Sequence, residues 1–129
     1  TKVASGGEMF RLLFSVKSCI AHKMNLPTIL FDEIDTGVSG EIAHKMGELM
    51  SLMARQSKMQ VISITHLPQV AARGDNQMYV EKRILDDSSH TNIRTLDQKE
   101  REKEIAKMLS GSVVTDVSLS NARELLATK

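Results

Sequence analysis

The stretch TILFDE, residues 28–33, decides how the rest of the chain is interpreted. Its first four residues form an apolar run without polar alternation, which predicts a short strand buried on both faces. The run ends in two acids, Asp32 and Glu33. VISI, residues 61–64, is a second run of this kind, and an amphipathic segment at helical spacing separates the two runs. A strand, a crossover helix and a strand make a βαβ unit, so we expect an α/β fold with parallel strands and flanking helices.

Further helices and an edge hairpin are predicted around this unit. Apolar residues recur at helical spacing before Pro27, which ends that helix because proline disfavours helix in the residue before it. The last helix is expected to bury Val117, Leu125 and Leu126. Besides the two strands, the predicted elements are a helix at 9–24, a helix from Ser39 as a possible N-cap to about Gln56, one turn at 67–73, hairpin strands at 77–83 and 91–96 joined by a polar loop at 86–90, a helix capped by Asp97 and ending near Gly111, and a helix at 116–127.

Composition and charge limit the classes of function. The chain has 129 residues, which suits one domain or one lobe of a larger domain. Its net charge is +1, with 17 basic and 16 acidic residues, which argues against a strongly electropositive nucleic-acid surface on this segment. A single cysteine, Cys19, excludes an internal disulfide, and its apolar helical surroundings favour a buried structural thiol. No apolar run approaches the roughly 20 residues that a membrane span needs, and no signal peptide precedes the fold, so we expect a fragment of a cytoplasmic protein.

The first candidate site is SGGE, residues 5–8, at the start of a predicted helix. Two glycines let the backbone come close to a ligand, and a helix start offers unpaired N–H groups that suit phosphate. The Ser5 hydroxyl adds a donor. The alternative is that Ser5 is only an N-cap after a flexible loop, and the four residues alone do not decide between these interpretations.

The second and third candidates lie where the two predicted strands end. Asp32 and Glu33 follow the first strand, and His66 follows the second. Because ligands of open α/β folds bind at the carboxyl ends of the strands, these side chains are expected to share a site. Asp32 could hold Mg²⁺, Glu33 could orient or deprotonate a water, and His66 could donate a hydrogen bond to a phosphate. The alternatives are a strand that ends in a polar turn and a structural histidine.

In this order, the three groups resemble the signature motif, the Walker B motif and the switch histidine of ABC-type ATPases. The resemblance implies the C-terminal lobe of a P-loop NTPase head. It implies Asp32 as the Mg²⁺ residue, Glu33 as the catalytic carboxylate and His66 as the sensor of the γ-phosphate. The residues of the signature, which would complete the ATP site of a second head, are Ser5, Gly6, Gly7 and Glu8.

A finer resemblance is to the bacterial RecN family of DNA repair proteins, in the SMC-like branch. The residues that carry it are KVASGGE (2–8), FDEIDTGVSG (31–40), THLPQVA (65–71) and ARELL (122–126). Ile34 and Asp35 follow the acid pair where transporter ATPases typically have proline. Ser39 departs from the pattern, since many ABC proteins place the D-loop aspartate there. No G-x-x-x-x-G-K-[ST] phosphate loop occurs in the sequence.

By this resemblance, residues 1–129 are the C-terminal part of an ATP-hydrolysing head that acts in DNA double-strand break repair and recombination. An N-terminal lobe with Walker A and a coiled coil would complete the full-length protein, so the segment alone is expected to be inactive. The implied cofactors are ATP and Mg²⁺. The implied partners are a second head, the N-terminal lobe and DNA, in the bacterial cytoplasm at the nucleoid and without a membrane. The alternatives are the head of another SMC-like chromosome or repair ATPase, and a non-enzymatic lobe that dimerises or binds DNA.

Overall fold

The computed structural model describes residues 5–85 and 88–128. The described residues up to Arg73 form one compact unit, and those from Gly74 onward form a second. The elements of the first unit are α1 (Gly6–Lys23), β1 (Thr28–Asp32), α2 (Gly40–Gln56), β2 (Gln60–Ile64) and α3 (Pro68–Ala71). The elements of the second unit are β3 (Met78–Leu85), β4 (Ser88–Thr95), α4 (Gln98–Ser110) and α5 (Asp116–Ala127). Each predicted helix and strand is present, with shifts of a few residues at its ends. Within the described ranges, no helix is long and apolar enough to cross a membrane.

The first unit is built on the predicted βαβ arrangement. β1 and β2 are parallel, in a register that runs from Thr28 opposite Gln60 to Asp32 opposite Ile64. The parallel strands, flanking helices and hairpin of the predicted α/β fold are confirmed. The strands are not buried on both faces, however, since Leu30 and Ile64 are each 47% exposed within the described residues.

The core of the first unit combines aromatic rings with methionine side chains. Phe10 and Phe31 are fully buried, and Phe14 stacks on Phe31 with ring centroids 5.4 Å apart. Methionine is flexible and fills irregular gaps in a core. The buried methionines, on or just after α2, are Met46, Met50, Met53 and Met59.

Helix α1 has two apolar sides, and only one of them packs against this core. Phe10 and Ala21 on the inner side are buried. The residues whose spacing predicted the helix remain exposed and are called here the outer face of α1: Met9, Leu12, Leu13, Val16 and Ile20. Cys19 is also exposed, so the prediction of a buried thiol is wrong. The helix was predictable from periodicity, but its inward side was not.

The second unit pairs a hairpin with two helices. β3 and β4 are antiparallel and form a two-stranded sheet of their own. The predicted loop at 86–90 falls partly on residues 86 and 87, outside the described residues, and β4 begins already at Ser88. The buried residues of α4 and α5 include Ile105, Ala106, Ala122 and Leu126. Val117 is 70% exposed, so its predicted burial is wrong.

Candidate functional site

The carboxyl ends of β1 and β2 bring together the acid pair and the histidine segment. Asp32, the last residue of β1, lies opposite Ile64, the last residue of β2. The pairing continues one step, because the N–H of Glu33 donates to the carbonyl of Ile64 at 3.0 Å. His66 follows two residues after β2. The structure thus places Asp32, Glu33 and His66 at one sheet edge, as the strand pattern predicted.

Glu33 occupies an unusual backbone conformation. Its φ is +45°, in the left-handed region that residues other than glycine seldom adopt. Its N–H is held by Ile64, and its carbonyl accepts the Thr36 hydroxyl at 3.1 Å. Residues kept in such regions cost about 1–3 kcal/mol and concentrate at functional sites. The backbone is therefore fixed on both sides while the carboxylate remains exposed to solvent.

Asp35 is the polar residue of this edge that sequence reasoning did not assign to the site. Its side chain is only 2% exposed, and its Oδ2 accepts the hydroxyl of Thr65. That hydroxyl oxygen also accepts the N–H of Leu67 at 3.0 Å. The other oxygen, Oδ1, has no hydrogen-bond partner among the described residues and lies 3.5 Å from Nδ1 of His66. The sequence did contain a signal for this residue. Asp35 is a third acid two positions after Glu33, and a Thr-His pair follows the neighbouring strand at residues 65 and 66.

The polar side chains of the SGGE segment are engaged with each other. The N–H of Ser5 donates to the Glu8 carboxylate at 2.9 Å, and the N–H of Glu8 donates to Ser5 Oγ at 3.3 Å. This is a capping box at the start of α1. The bonds from the Ser5 backbone and then from its side chain lower the pKa of Glu8 below its ordinary value. The N-cap alternative therefore accounts for the side chains of Ser5 and Glu8.

The two glycines of the segment are explained by close packing. A Cβ on Gly6 would lie 2.8 Å from the carbonyl oxygen of Gly37, and a Cβ on Gly7 would lie 2.9 Å from Cδ1 of Ile42. The first contact is with backbone, and the second is with the end of a side chain that can move. The start of α1 therefore lies directly against the loop that follows the acid pair, with no room for a side chain at Gly6.

The strand edge has the kind of ligand that Mg²⁺ uses. Among the described residues, Asp32 and Glu33 accept no hydrogen bond on their carboxylates and form no ion pair. Within the same ranges, no group of three His, Cys, Asp or Glu side chains could enclose a metal. Mg²⁺ is usually bound by one or two carboxylates together with waters and substrate phosphates. An exposed, unengaged Asp32 fits that mode of binding.

Similar proteins from three bacteria all bear the same name. The chain is 44% identical to the DNA repair protein RecN of Rickettsia conorii over 125 residues, 97% of this chain and 23% of that protein. It is 41% identical to the DNA repair protein RecN of Bacillus subtilis over 126 residues, 98% of this chain and 22% of that protein. The match to the Vibrio cholerae protein of the same name is also 41% identical over 125 residues, 97% of this chain and 22% of that protein. The chain thus spans less than a quarter of the length of these relatives.

The fold has a solved counterpart. It is a chain from a structural study of SMC ATPases, described as covering their ATP-driven dimerization and DNA-stimulated activation. The two chains match with a TM-score of 0.65 and 21% identity, over 83% of this chain and 62% of that chain. No protein-family model matches. The sequence prediction of a RecN-like segment is confirmed along nearly the whole chain, and the fold is shared with the chain described under SMC ATPases.

Proposed function

Since the chain is a RecN-like segment with the fold of an SMC-type head, we propose that it is the C-terminal part of an ATP-hydrolysing head acting in the repair of DNA double-strand breaks and in recombination. The observation that carries this proposal is the edge of the β1–β2 sheet, where Asp32, Glu33 and His66 lie together. A lobe that only dimerises or binds DNA would need neither the exposed acid pair nor the strained backbone of Glu33. Hydrolysis gives both features a use.

Each residue of the edge has a distinct role in this proposal. Asp32 binds Mg²⁺, which when bound offsets the charge of the ATP phosphates. Glu33 orients the attacking water and accepts its proton, and its fixed backbone sets the position from which the side chain reaches the water. His66 donates a hydrogen bond to the γ-phosphate. Phosphoryl transfer to water depends mainly on positioning and charge stabilisation, which such an arrangement supplies.

The SGGE segment serves a second head in the same proposal. The capping box takes up the N–H of Glu8, while no described residue accepts the N–H of Gly6 or of Gly7. These amides stand at the positive end of α1, where a phosphate oxygen is favoured. The segment would thus complete the ATP site of the partner head mainly through its backbone.

The remaining parts of the machinery lie outside this segment. The relatives are more than four times as long as the matched region, which leaves room for an N-terminal lobe with Walker A and a coiled coil. We place that lobe on the outer face of α1, whose exposed apolar side chains need a cover. DNA contacts belong to the full-length protein, because the segment carries a net charge of only +1. Bacterial repair relatives support a site of action at the nucleoid in the cytoplasm.

The test is the substitution Glu33→Gln in the full-length protein. Loss of a positioned base lowers turnover by about 10²–10⁴-fold, while an amide of the same shape leaves ATP binding intact. ATP hydrolysis and nucleotide affinity should be measured on the same preparation. The matched control is Glu124→Gln, an exposed acid of α5, which should hydrolyse ATP at the rate of the unmodified protein. Unchanged turnover in the Glu33→Gln protein would refute the proposed catalytic role.

A further inference from the structure

The Asp35 carboxylate has more hydrogen-bonding capacity than the surrounding residues use. It is 98% buried, and only Oδ2 has a hydrogen-bond donor among the described residues, the hydroxyl of Thr65. A carboxyl group removed from water normally has hydrogen-bond partners for both oxygens, because an unpaired buried polar atom is unfavourable. Oδ1 of Asp35 can therefore accept one further hydrogen bond.

His66 carries a potential donor close to this oxygen. Its Nδ1 lies 3.5 Å from Asp35 Oδ1, slightly beyond hydrogen-bond length, and no other donor to this oxygen is found in the described part of the chain. The imidazole is 65% exposed, so one edge of the ring faces a buried carboxylate while the other edge is open to solvent. Contacts of this kind are often long without substrate and shorten when the substrate binds.

We propose that Asp35 is a positioning residue for His66. Its Oδ1 accepts the hydrogen on Nδ1, Thr65 fixes the carboxylate through Oδ2, and Nε2 is left as the ring nitrogen that meets the γ-phosphate. An imidazole with hydrogens on both nitrogens donates to the carboxylate and to the phosphate at the same time. This inference rests on the proposed role of His66, and it adds the group that sets the orientation and hydrogen position of the ring.

Hydrogen bonds to the neighbouring backbone hold Asp35 and Thr65 in place. The carbonyl of Asp35 accepts the N–H of Val38 at 3.0 Å, which holds the turn that follows Glu33. Thr65 is held in turn, because its hydroxyl oxygen accepts the N–H of Leu67. The carboxylate is thus fixed by the segments that follow β1 and β2, the same two segments that carry Glu33 and His66. A change at the γ-phosphate would reach the Glu33 turn through His66 and Asp35.

The experiment uses the full-length protein with Asp35→Asn, His66→Gln and the double substitution. Asp35→Asn should lower kcat by about 10–100-fold, the range seen when a carboxylate that orients a metal-binding histidine is lost. It should have little effect on KM for ATP. In the His66→Gln background, the same change should add almost nothing, because both substitutions break one unit. Multiplication of the two separate effects would overturn the proposal.

A second readout is independent of turnover. The ¹³C and ¹⁵N shifts of the imidazole ring, assigned by the signals that disappear in His66→Gln, report which nitrogen carries hydrogen. In the presence of a non-hydrolysable ATP analogue, the unmodified protein should show hydrogen on Nδ1, and Asp35→Asn should change that signal. Unchanged ring signals in Asp35→Asn would overturn the proposal even if hydrolysis slowed. If Asp35→Asn alters the ring signals but His66→Gln hydrolyses ATP at the normal rate, the contact is supported and the proposed function of His66 is refuted.

Thr65 provides the variant for the case in which Asp35→Asn does not fold. Thr65→Val removes the donor to Oδ2, whereas Thr65→Ser keeps the hydroxyl and serves as its matched control. We expect the His66 signals and kcat to change in Thr65→Val and to be retained in Thr65→Ser. Ser118→Ala, a loss of a buried hydroxyl in the second unit, should alter stability without altering the His66 signals. Equal His66 signals in Thr65→Val and Thr65→Ser would contradict the proposal.

Discussion

The start of α1 and the carboxyl edge of the β1–β2 sheet were both predicted as parts of one site, and their polar groups behave in opposite ways. In the first region, the side chains of Ser5 and Glu8 satisfy each other. In the second, Asp32 and Glu33 are unengaged among the described residues, and Asp35 keeps one buried oxygen without a hydrogen bond. A motif whose side chains are mutually satisfied offers mainly its backbone to a partner, whereas a motif with unsatisfied side chains acts through them.

The largest effect that separates the two regions is expected when variant heads are mixed. Glu33→Gln and Gly7→Val should each reduce ATP turnover of the full-length protein, the former by about 10²–10⁴-fold. In a mixed dimer, the site with an intact Glu33 receives an intact signature, so turnover should exceed that of either parent. ATPase assays on purified heterodimers provide the measurement.

The structure also shows which control this mixing experiment needs. A side chain at Gly7 displaces Ile42 of the same chain, so a loss of activity in Gly7→Val has a second possible cause. Ile42→Ala removes that contact without changing the signature, and its turnover should remain normal. A low rate in Ile42→Ala would assign the loss in Gly7→Val to the Ile42 contact. A mixed dimer no faster than its parents would contradict action of the signature on a partner head.

A smaller effect is expected from methyl groups at the two glycines. Gly6→Ala places Cβ 2.8 Å from a backbone oxygen, and overpacking of this kind typically destabilises by about 1–3 kcal/mol. Gly7→Ala meets only the movable end of Ile42, and alanine gains up to about 1 kcal/mol in helix propensity. Urea unfolding should therefore rank Gly6→Ala as the less stable variant. The reverse order would show that the loop at Thr36–Gly37 yields more easily than Ile42.

The capping boxes allow a matched comparison between the two units. Ser5→Ala and Thr115→Ala each remove an N-cap hydroxyl, at α1 and α5 respectively, and each should cost about 0.5–2 kcal/mol. Only Ser5→Ala should also reduce turnover of the full-length protein, because Ser5 belongs to the segment proposed to complete the second ATP site. Stability from urea unfolding and kcat from ATPase assays separate these effects. Equal activity in both variants would limit Ser5 to capping.

The smallest expected effect is the acid sensitivity of the first turn of α1. The folded pKa of Glu8 lies below its ordinary value, so its stabilising contribution is present above the unfolded pKa. That contribution is lost as the pH falls through the folded pKa, in the acidic range below the ordinary glutamate value. Amide hydrogen exchange at Met9 and its neighbours should increase there in the unmodified protein, and Glu8→Gln should remove this dependence. The same dependence in Glu8→Gln would assign it to another group.

Some of this architecture could be predicted from the sequence because it depends on local patterns. The two apolar runs, the breaks around Pro27 and the acids after Phe31 determine the βαβ unit and the position of Asp32 and Glu33. The capping residues Asp97 and Ser39 marked helix starts correctly, although Ser39 makes no side-chain cap bond. Patterns within one element were sufficient for these features.

Other features depend on contacts between segments distant in sequence. Helix α1 carries apolar residues on two sides, and periodicity cannot tell which side meets β1 and α2. The burial of Asp35 follows from the left-handed turn at Glu33 and from Thr65, which is 30 residues away along the chain. Gly6 and Gly7 looked like ligand-binding glycines, but their packing against Gly37 and Ile42 requires the assembled unit. Contacts between residues that are distant in sequence cannot be predicted from the residue pattern within a single helix or strand.

The four buried methionines of the first unit have a consequence for chemical durability. Met46 is 1% exposed and Met50 is 6% exposed, so peroxide reaches these thioethers only when the helix moves away from the sheet. Conversion to the sulfoxide would put a polar group into a space that was filled by an apolar side chain, and the unit could not close again with its original packing. The rate of methionine oxidation in α2 therefore measures how often the first unit, which carries the acid pair, opens transiently.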